Sequence, residues 1–351
     1  MMGFASLREP ATTAALAAQR DCVAFLASGA AFPDAGGRVE VVETHFAWVF
    51  LAGARAYKLK KATHLRGADW RTIAARERAC RDELNLNHAF SPATYLGVEP
   101  LTRTGDALRI GGHGAAVDWL LVMRRLDAAR MLDAVLRAGA LTPSDLDRVL
   151  EFLVALYRAR TPLPFTPDRY LRRLDARLEE ALGALADPAA QLPAAEVARA
   201  GARLRATFAA LRAPLAARAV GGHIVEGHGD LRAEHVCLGP PVQVIDALEV
   251  YADLRMLDTA EEIAVLAVDC AGTAAPWAPP YLRDRYRALT GDDAGDELFA
   301  AYAALRAATQ AKLAIWHLDD PQQFPDPQPW RARALAALAV AVSHCPRDPG
   351  P

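Results

Sequence analysis

Lysine is nearly absent from this 351-residue chain, which carries four lysines against 36 arginines. Long apolar runs are missing too: the longest, over 334–342, is far too short to span a bilayer. Glu9, Arg20 and Asp21 interrupt the N-terminal stretch where a secretory signal needs an unbroken apolar core. The protein is therefore expected to stay in the cytoplasm, with no membrane as a partner. The five cysteines, Cys22, Cys80, Cys237, Cys270 and Cys345, are odd in number, scattered, and form no Cys-x-x-Cys pair, which argues against a structural zinc site or a dithiol redox centre. They read as reduced thiols, mostly in the core. An excess of one charge is lacking as well: the formal net charge of -2 gives no general attraction for nucleic acid or an anionic membrane.

Against that background, three of the four lysines, Lys58, Lys60 and Lys61, fall within one short stretch. An ammonium on a flexible stem differs chemically from a planar guanidinium, so a lysine cluster in an arginine-using chain is a candidate site. A merely solvated charge run is the competing reading.

Length allows about two domains, each with its own core. The stretch 10–30 has apolar residues at helical spacing and is broken by Pro33, Gly36 and Gly37. Short strands rich in Val, Phe, Trp and Tyr follow over 38–44, 46–51 and 55–60. A helix is expected over 71–88, and further strands over 95–98, 107–110 and 119–123. Beyond Met123 the pattern is helical, over 126–138, 143–160, 168–186, 194–211, 254–268, 280–289, 297–317 and 329–343. One strand pair, 235–238 and 242–246 around Gly239-Pro240-Pro241, interrupts it. The expected class is α+β: an N-terminal helical extension over 1–37, a small antiparallel-sheet lobe over 38–123, a hinge near Met123–Arg125, and a larger helical lobe over 124–351 that carries the hairpin.

If Leu238 pairs with Gln243, His235 lies opposite Asp246, with their Cβ atoms ~5 Å apart. Asp230 stands shortly before them in the glycine-bearing loop Gly227-His228-Gly229-Asp230. Each residue alone reads as a cap or a satisfied hydrogen-bonder. Together they bring two carboxylates and an imidazole to one hairpin. Phosphoryl transfer uses such a set, with one carboxylate orienting an acceptor hydroxyl and a second holding the metal that bridges the phosphates.

His228-Gly229-Asp230 with His235, then Val244-Ile245-Asp246, resembles the catalytic and metal-binding loops of the aminoglycoside phosphotransferase and choline kinase-like family, of protein-kinase-like fold. The resemblance runs from about Val41 to Trp316. It narrows to a bacterial subgroup in which Glu43-Thr44-His45, Tyr57-Lys58-Leu59-Lys60-Lys61 and Gly229-Asp230-Leu231-Arg232 recur in this order, some of whose members carry a fused P-loop kinase domain. This chain contains no G-x-x-x-x-G-K-[ST] segment.

The resemblance implies an ATP- or GTP-dependent kinase acting on a small-molecule acceptor, with Mg²⁺ or Mn²⁺. Asp230 would be the catalytic carboxylate, with His228 bracing its loop and Arg232 beside it, and Asp246 the metal ligand. His235 stands where the family has an Asn, an imidazole where Mg²⁺ prefers oxygen. Lys58, supported by Lys60, would contact the α- and β-phosphates, paired with Glu83 or with Glu77. Thr44 lies in a glycine-free phosphate loop, and Met123 would form part of the adenine wall. Glu249, Asp253, Asp258, Glu261 and Glu262 suit a cationic acceptor or the support of a helix; by the resemblance, Asp258 and Glu262 brace the catalytic loop. Two alternatives stay open: a nucleotide-binding regulatory protein with little transfer activity, motivated by the glycine-free loop and His235, and a metallohydrolase using His228, Asp230, His235 and Asp246. The oligomeric state is not legible.

Overall fold

The computed structural model describes residues 10–33, 36, 38–65, 68–319 and 324–346. They divide into two compact units: unit 1 comprises the residues up to Met131 together with His235–Ala252, and unit 2 comprises Leu132–Glu234 and the residues from Asp253 onward.

In unit 1 the N-terminal helical stretch forms α1 (Pro10–Ala18) and α2 (Arg20–Ala27). Between them Gln19 is buried and tied by its amide: Nε2 donates to Lys60 O at 2.9 Å and Asp118 Oδ2 at 2.7 Å, and Oε1 accepts from Ala62 N at 2.7 Å. The strands are β1 (Val39–Glu43), β2 (Ala47–Ala52), β3 (Arg55–Lys60), the two-residue β4 (His64–Leu65) and β5 (Ala68–Asp69), β6 (Tyr95–Thr104), β7 (Ala107–Ile110) and β8 (Ala115–Arg124). Helix α3 (Ile73–His88) is N-capped by Thr72. Six strands make one antiparallel sheet in the order β1-β2-β3-β8-β6-β7, and β4 pairs with β5 alone. The ladder between β6 and β8 runs well past the lengths expected for either, to Arg103 opposite Ala115, because Pro100 and the polar residues after it hide the alternation in the sequence.

Alternation across β3 and β8 determines what each sheet face carries. Leu59 and Leu120, cross-strand partners, join Cys22, Leu26 and Phe50 in the core under α2. Leu121, the partner of Lys58, faces Cys80 and Tyr95 on the α3 side. Lys58 and Lys60, two apart, therefore both meet α3. The strands β10 (Val236–Cys237) and β11 (Gln243–Val244) complete the unit.

Unit 2 contains α4 (Leu132–Arg137), α5 (Pro143–Arg158), α6 (Pro167–Ala186), α7 (Ala194–Ala210), α8 (Arg212–Val220), β9 (Ile224–Glu226), the single turn α9 (Ala252–Arg255, its first residue in unit 1), β12 (Met256–Asp258), α10 (Thr259–Cys270), α11 (Ala278–Thr290), α12 (Asp296–Trp316) and α13 (Gln328–Ser343). Three elements depart from expectation. The helix read over 126–138 starts only at Leu132. Helix α8 went unread because Pro214 breaks the pattern, although proline is tolerated in a first turn. The helix read over 254–268 is split, since Met256–Asp258 pairs with β9 and Asp258 caps α10 by accepting from Ala260 N at 2.9 Å. The alanine-rich α12 packs against α6, α10 and α13, small side chains permitting close approach. No helix among the described residues is long and apolar enough to cross a membrane.

Candidate active site

The lysine cluster of unit 1 is a buried charge network. Lys58 Nζ lies 2.8 Å from Glu83 Oε1 and 2.7 Å from Asp246 Oδ1, and Lys60 Nζ lies 2.5 Å from Glu83 Oε2 and 2.6 Å from Glu249 Oε1. Glu83 and Lys60 are sealed from solvent, and Trp70 covers the Lys60 ammonium at 4.5 Å. Lys61, on the other strand face, pairs with the exposed Glu43 at 2.6 Å. Glu77 is spent on Arg81 one turn along α3, so Glu83 is the partner of both lysines.

The hairpin that brings Asp246 to Lys58 differs from expectation by one residue. Val236 pairs with Val244 and Cys237 with Gln243, so His235 stands level with Ile245, whose N–H donates to His235 O at 2.9 Å. A one-residue slip exchanges the faces of every side chain. The cause lies outside the hairpin, where side chains after α3 bond strand β11: Ser91 Oγ donates to Val244 O at 2.7 Å and accepts from Val244 N at 2.8 Å, and Thr94 Oγ1 donates to the side-chain Oε1 of Gln243 at 2.8 Å. Beyond the strand, Asp246 takes a left-handed conformation, φ 63°, which aspartate tolerates better than most residues. Its N–H donates to Tyr95 Oη at 2.9 Å, and Ala247 N donates to Asn87 Oδ1 at 2.8 Å. That turn returns Asp246 Oδ2 to 3.8 Å from His235 Nε2 despite the shifted register.

Electrostatics follow from this packing. Burial opposes charge on Lys58, but Asp246 and Glu83 outweigh it and hold the ammonium well above the ordinary lysine range. Burial likewise opposes ionisation of Asp246, and Lys58 and His235 overcome it, keeping the carboxyl below the usual range. Glu83 is pulled below its ordinary value by Lys58 and Lys60 against its own burial. For Glu249 burial prevails over Lys60, and its carboxyl is raised.

In unit 2 the loop Gly227–Asp230 is held by its backbone. Glu262, buried on α10, accepts from His228 N and Gly229 N at 2.8 Å each through Oε1, while its Oε2 accepts from Tyr157 Oη–H at 2.7 Å. A Cβ at Gly227 would stand 2.6 Å from Glu262 Oε2, and Gly229 has φ +84° with Leu254 O and Arg255 against it, so both positions require glycine. His228 is buried and its Nδ1 accepts from Asp230 N at 3.3 Å. Asp230 itself is half-buried. Its Oδ1 accepts from Arg306 Nη1 at 3.0 Å, and Arg232 Nε lies 3.2 Å from Oδ2 while Arg232 also pairs with Glu234. Burial pushes the Glu262 carboxyl above its ordinary value, in spite of these donors.

The remaining residues singled out from the sequence fall as follows. Thr44 Oγ1 exchanges both its hydrogen bonds with Ala47, at 3.0 Å each, and so pins the turn between β1 and β2. Met123 lies on β8, packed against the Cys80, Tyr95 and Leu121 cluster. Of the pair read as bracing the loop, Glu262 does so and Asp258 does not: it binds Arg218 at 2.6 and 2.7 Å and accepts from Tyr302 Oη–H at 2.8 Å. Glu261 is paired with Arg177 at 2.6 Å and Glu249 with Lys60. With four of its five carboxylates committed, the sequence grounds for a cationic acceptor fall away. No group of three His, Cys, Asp or Glu side chains among the described residues forms an all-protein metal cage.

With this geometry in hand, the chain can be set beside known proteins. A choline/ethanolamine kinase family protein from Mesorhizobium loti superposes with a TM-score of 0.51, at 16% identity over 93% of this chain and 98% of that one. A mutant aminoglycoside 2′-phosphotransferase solved with GDP gives 0.52, at 14% identity over 92% and 97%. This chain has the aminoglycoside phosphotransferase and choline kinase fold. In sequence, an uncharacterized protein of Mycobacterium tuberculosis is 33% identical over 311 residues, 87% of this chain and 59% of the relative, so the chain spans about three fifths of the curated relatives it matches. No family model matches the chain.

Within this kinase fold, unit 1 is the sheet-bearing part and unit 2 the helical part. Several residues that shape the site escaped the sequence reading. Asn87, Ser91 and Tyr95 position the hairpin, and only the run Asn85-Leu86-Asn87 on a helix hinted at buried amides. Arg306 is the one guanidinium in the alanine-rich α12, and a buried charge among small apolar side chains is a signal that it meets a partner.

Proposed function

We propose that this chain is a phosphotransferase that moves the γ-phosphoryl group of ATP or GTP to a hydroxyl or amine of a small molecule. One observation carries the reading: a single lysine, Lys58, bonds both a glutamate of the following helix at 2.8 Å and an aspartate beyond the hairpin at 2.7 Å. Kinases use a strand lysine paired with a helix glutamate for the nucleotide phosphates and a following aspartate for metal. The shared fold and the rigid Asp230 loop support it.

In this reading Lys58 leaves Asp246 for the α- and β-phosphates while Glu83 keeps it oriented, and Lys60 shares the load. Asp246 fits a hard divalent cation: its carboxylate is partly exposed and only Oδ1 is taken by Lys58. Mg²⁺ is bound through one or two carboxylates plus substrate phosphates, which matches a site without a protein cage. An ion held by Asp246 would supply positive charge against the phosphates. His235 Nε2 stands 3.8 Å from Asp246 Oδ2, suited to steering that carboxylate. Asp230 accepts the proton of the acceptor's hydroxyl. The acceptor oxygen forms its bond to the γ-phosphorus as the bond to the β-bridging oxygen breaks, releasing the nucleoside diphosphate.

A second reading, a nucleotide-binding protein with little transfer, is favoured by the guanidinium beside each oxygen of Asp230, which already occupies the carboxylate with ion pairs. Release of ADP from ATP and Mg²⁺ by the full chain, screened across amino sugars, sugars, amino alcohols and their phosphates, separates the two. Acceptor-dependent ADP is the expected result. Nucleotide binding with no acceptor-dependent ADP across the screen overturns the phosphotransferase reading.

A further inference from the structure

Helix α6 carries Arg169, Arg172, Arg173 and Arg177, spaced so that all four share one face. They line a cavity of about 500 Å³ within unit 2, completed by Phe165 and by Asp253 and Leu254. Positive charge dominates it. The only carboxylates on its wall are Asp253 and Glu180, and Glu180 is held by Lys312 at 2.7 Å.

The arginines are not simply a solvated stripe. Arg177 is recessed and paired with Glu261 at 2.6 Å. Arg173 is half-buried and donates to the carbonyl oxygens of Asp253 and Met256, with the Glu261 and Asp253 carboxylates offsetting part of its charge. Burial and the neighbouring Arg177 press its guanidinium below the ordinary arginine range. Arg169 stacks on Phe165 at 4.5 Å, which keeps that guanidinium over an apolar wall, and Arg172 is exposed. Four planar forks on one cavity wall are what a phosphate oxygen set satisfies, by charge and by bidentate geometry. The cavity also adjoins the Asp230 loop: Leu254, on its wall, places its carbonyl 3.3 Å from where a Cβ on Gly229 would be.

We propose that this cavity binds the phosphate group of a small phosphorylated molecule, and that this molecule is the acceptor. The second clause rests on the phosphotransferase reading; the first does not. The sequence alone leaves the acceptor open.

Isothermal titration of the nucleotide-free full chain tests it, with glucose 6-phosphate as the probe and glucose as the neutral control. Glucose 6-phosphate is expected to bind and glucose not to. The Arg169→Ala/Arg172→Ala double variant should weaken binding at least ~10-fold, as loss of two charge-assisted contacts requires. Both side chains are exposed, so that variant should keep the wild-type Tm, and Arg172→Glu reads the same face by charge inversion. Lys58→Ala should leave the affinity unchanged. Absence of binding up to about 10 mM overturns the proposal. So does loss of binding in Lys58→Ala with retention in both arginine variants, which would move the phosphate to the lysine cluster. Arginine-dependent binding together with no acceptor-dependent ADP across the screen leaves the anion site standing and removes only the phosphotransferase reading.

Discussion

In unit 1 the charged groups hold one another: Lys58 and Lys60 are distributed over Glu83, Asp246 and Glu249, side chain to side chain, in a buried network. In unit 2 the loop that carries Asp230 is held through its backbone, whose N–H groups end on Glu262 and whose two glycines admit no side chain, while the Asp230 carboxylate itself meets Arg306 and Arg232. The difference separates two ways of preparing a site. A network of mutually paired charges is re-partnered when phosphate and metal enter, at the cost of existing ion pairs. A backbone-clamped loop keeps its geometry whether or not a ligand is present, which suits a group that must meet an acceptor at a fixed angle.

That contrast is broken most directly at the centre of the network. Glu83→Ala leaves two buried ammonium groups short of a partner, and the loss of one member of a buried ion pair costs about 3–5 kcal/mol. A fall of that size in unfolding free energy is expected from urea denaturation, read as a lowered midpoint at unchanged slope, with Lys58 no longer oriented for nucleotide. In the clamped loop, Gly227→Ala drives a methyl group into a carboxylate that cannot yield without losing three hydrogen bonds. Overpacking of this kind costs roughly 1–3 kcal/mol, and thermal denaturation should register it while nucleotide affinity stays within about twofold. Asn87→Ala removes the amide that accepts from Ala247 N and donates to Glu83 O. Leaving those groups unmet costs about 1–3 kcal/mol, and Mg²⁺-dependent nucleotide affinity should fall because Asp246 loses its support.

The smallest effect expected is a pH dependence. The folded state holds the Asp246 carboxyl below its unfolded value, so its contribution is complete above the ordinary carboxylate range and is lost as pH falls through and below it. The nucleotide-free Tm of the wild type should drop between about pH 5 and pH 3, and Asp246→Asn should flatten part of that drop. An unchanged slope in the variant would remove Asp246 from the network.

Much of this site is legible in the sequence because its signals are local. The Gly227–Asp230 loop, the lysine cluster and the β1–β3 meander each rest on neighbours in the chain, and Glu83 is reached through the family resemblance. Features set by distant partners are not legible. The hairpin slipped one register because Ser91 and Thr94, far away in sequence, bond it. Asp258 went to Arg218, and β12 emerged because β9 pairs with it. The arginines of α6 look like a solvated face until the 253–254 segment turns them into the wall of a cavity.

The central claim is that Asp230 performs the transfer while the network of unit 1 holds the nucleotide. Single-turnover ADP formation by wild type and Asp230→Asn, with ATP, Mg²⁺ and the best acceptor from the screen, tests it directly when paired with nucleotide titration of both proteins. The account predicts a loss of about 10²–10⁴-fold in the rate of transfer with nucleotide affinity nearly unchanged. An Asp230→Asn enzyme that turns over like the wild type would contradict it.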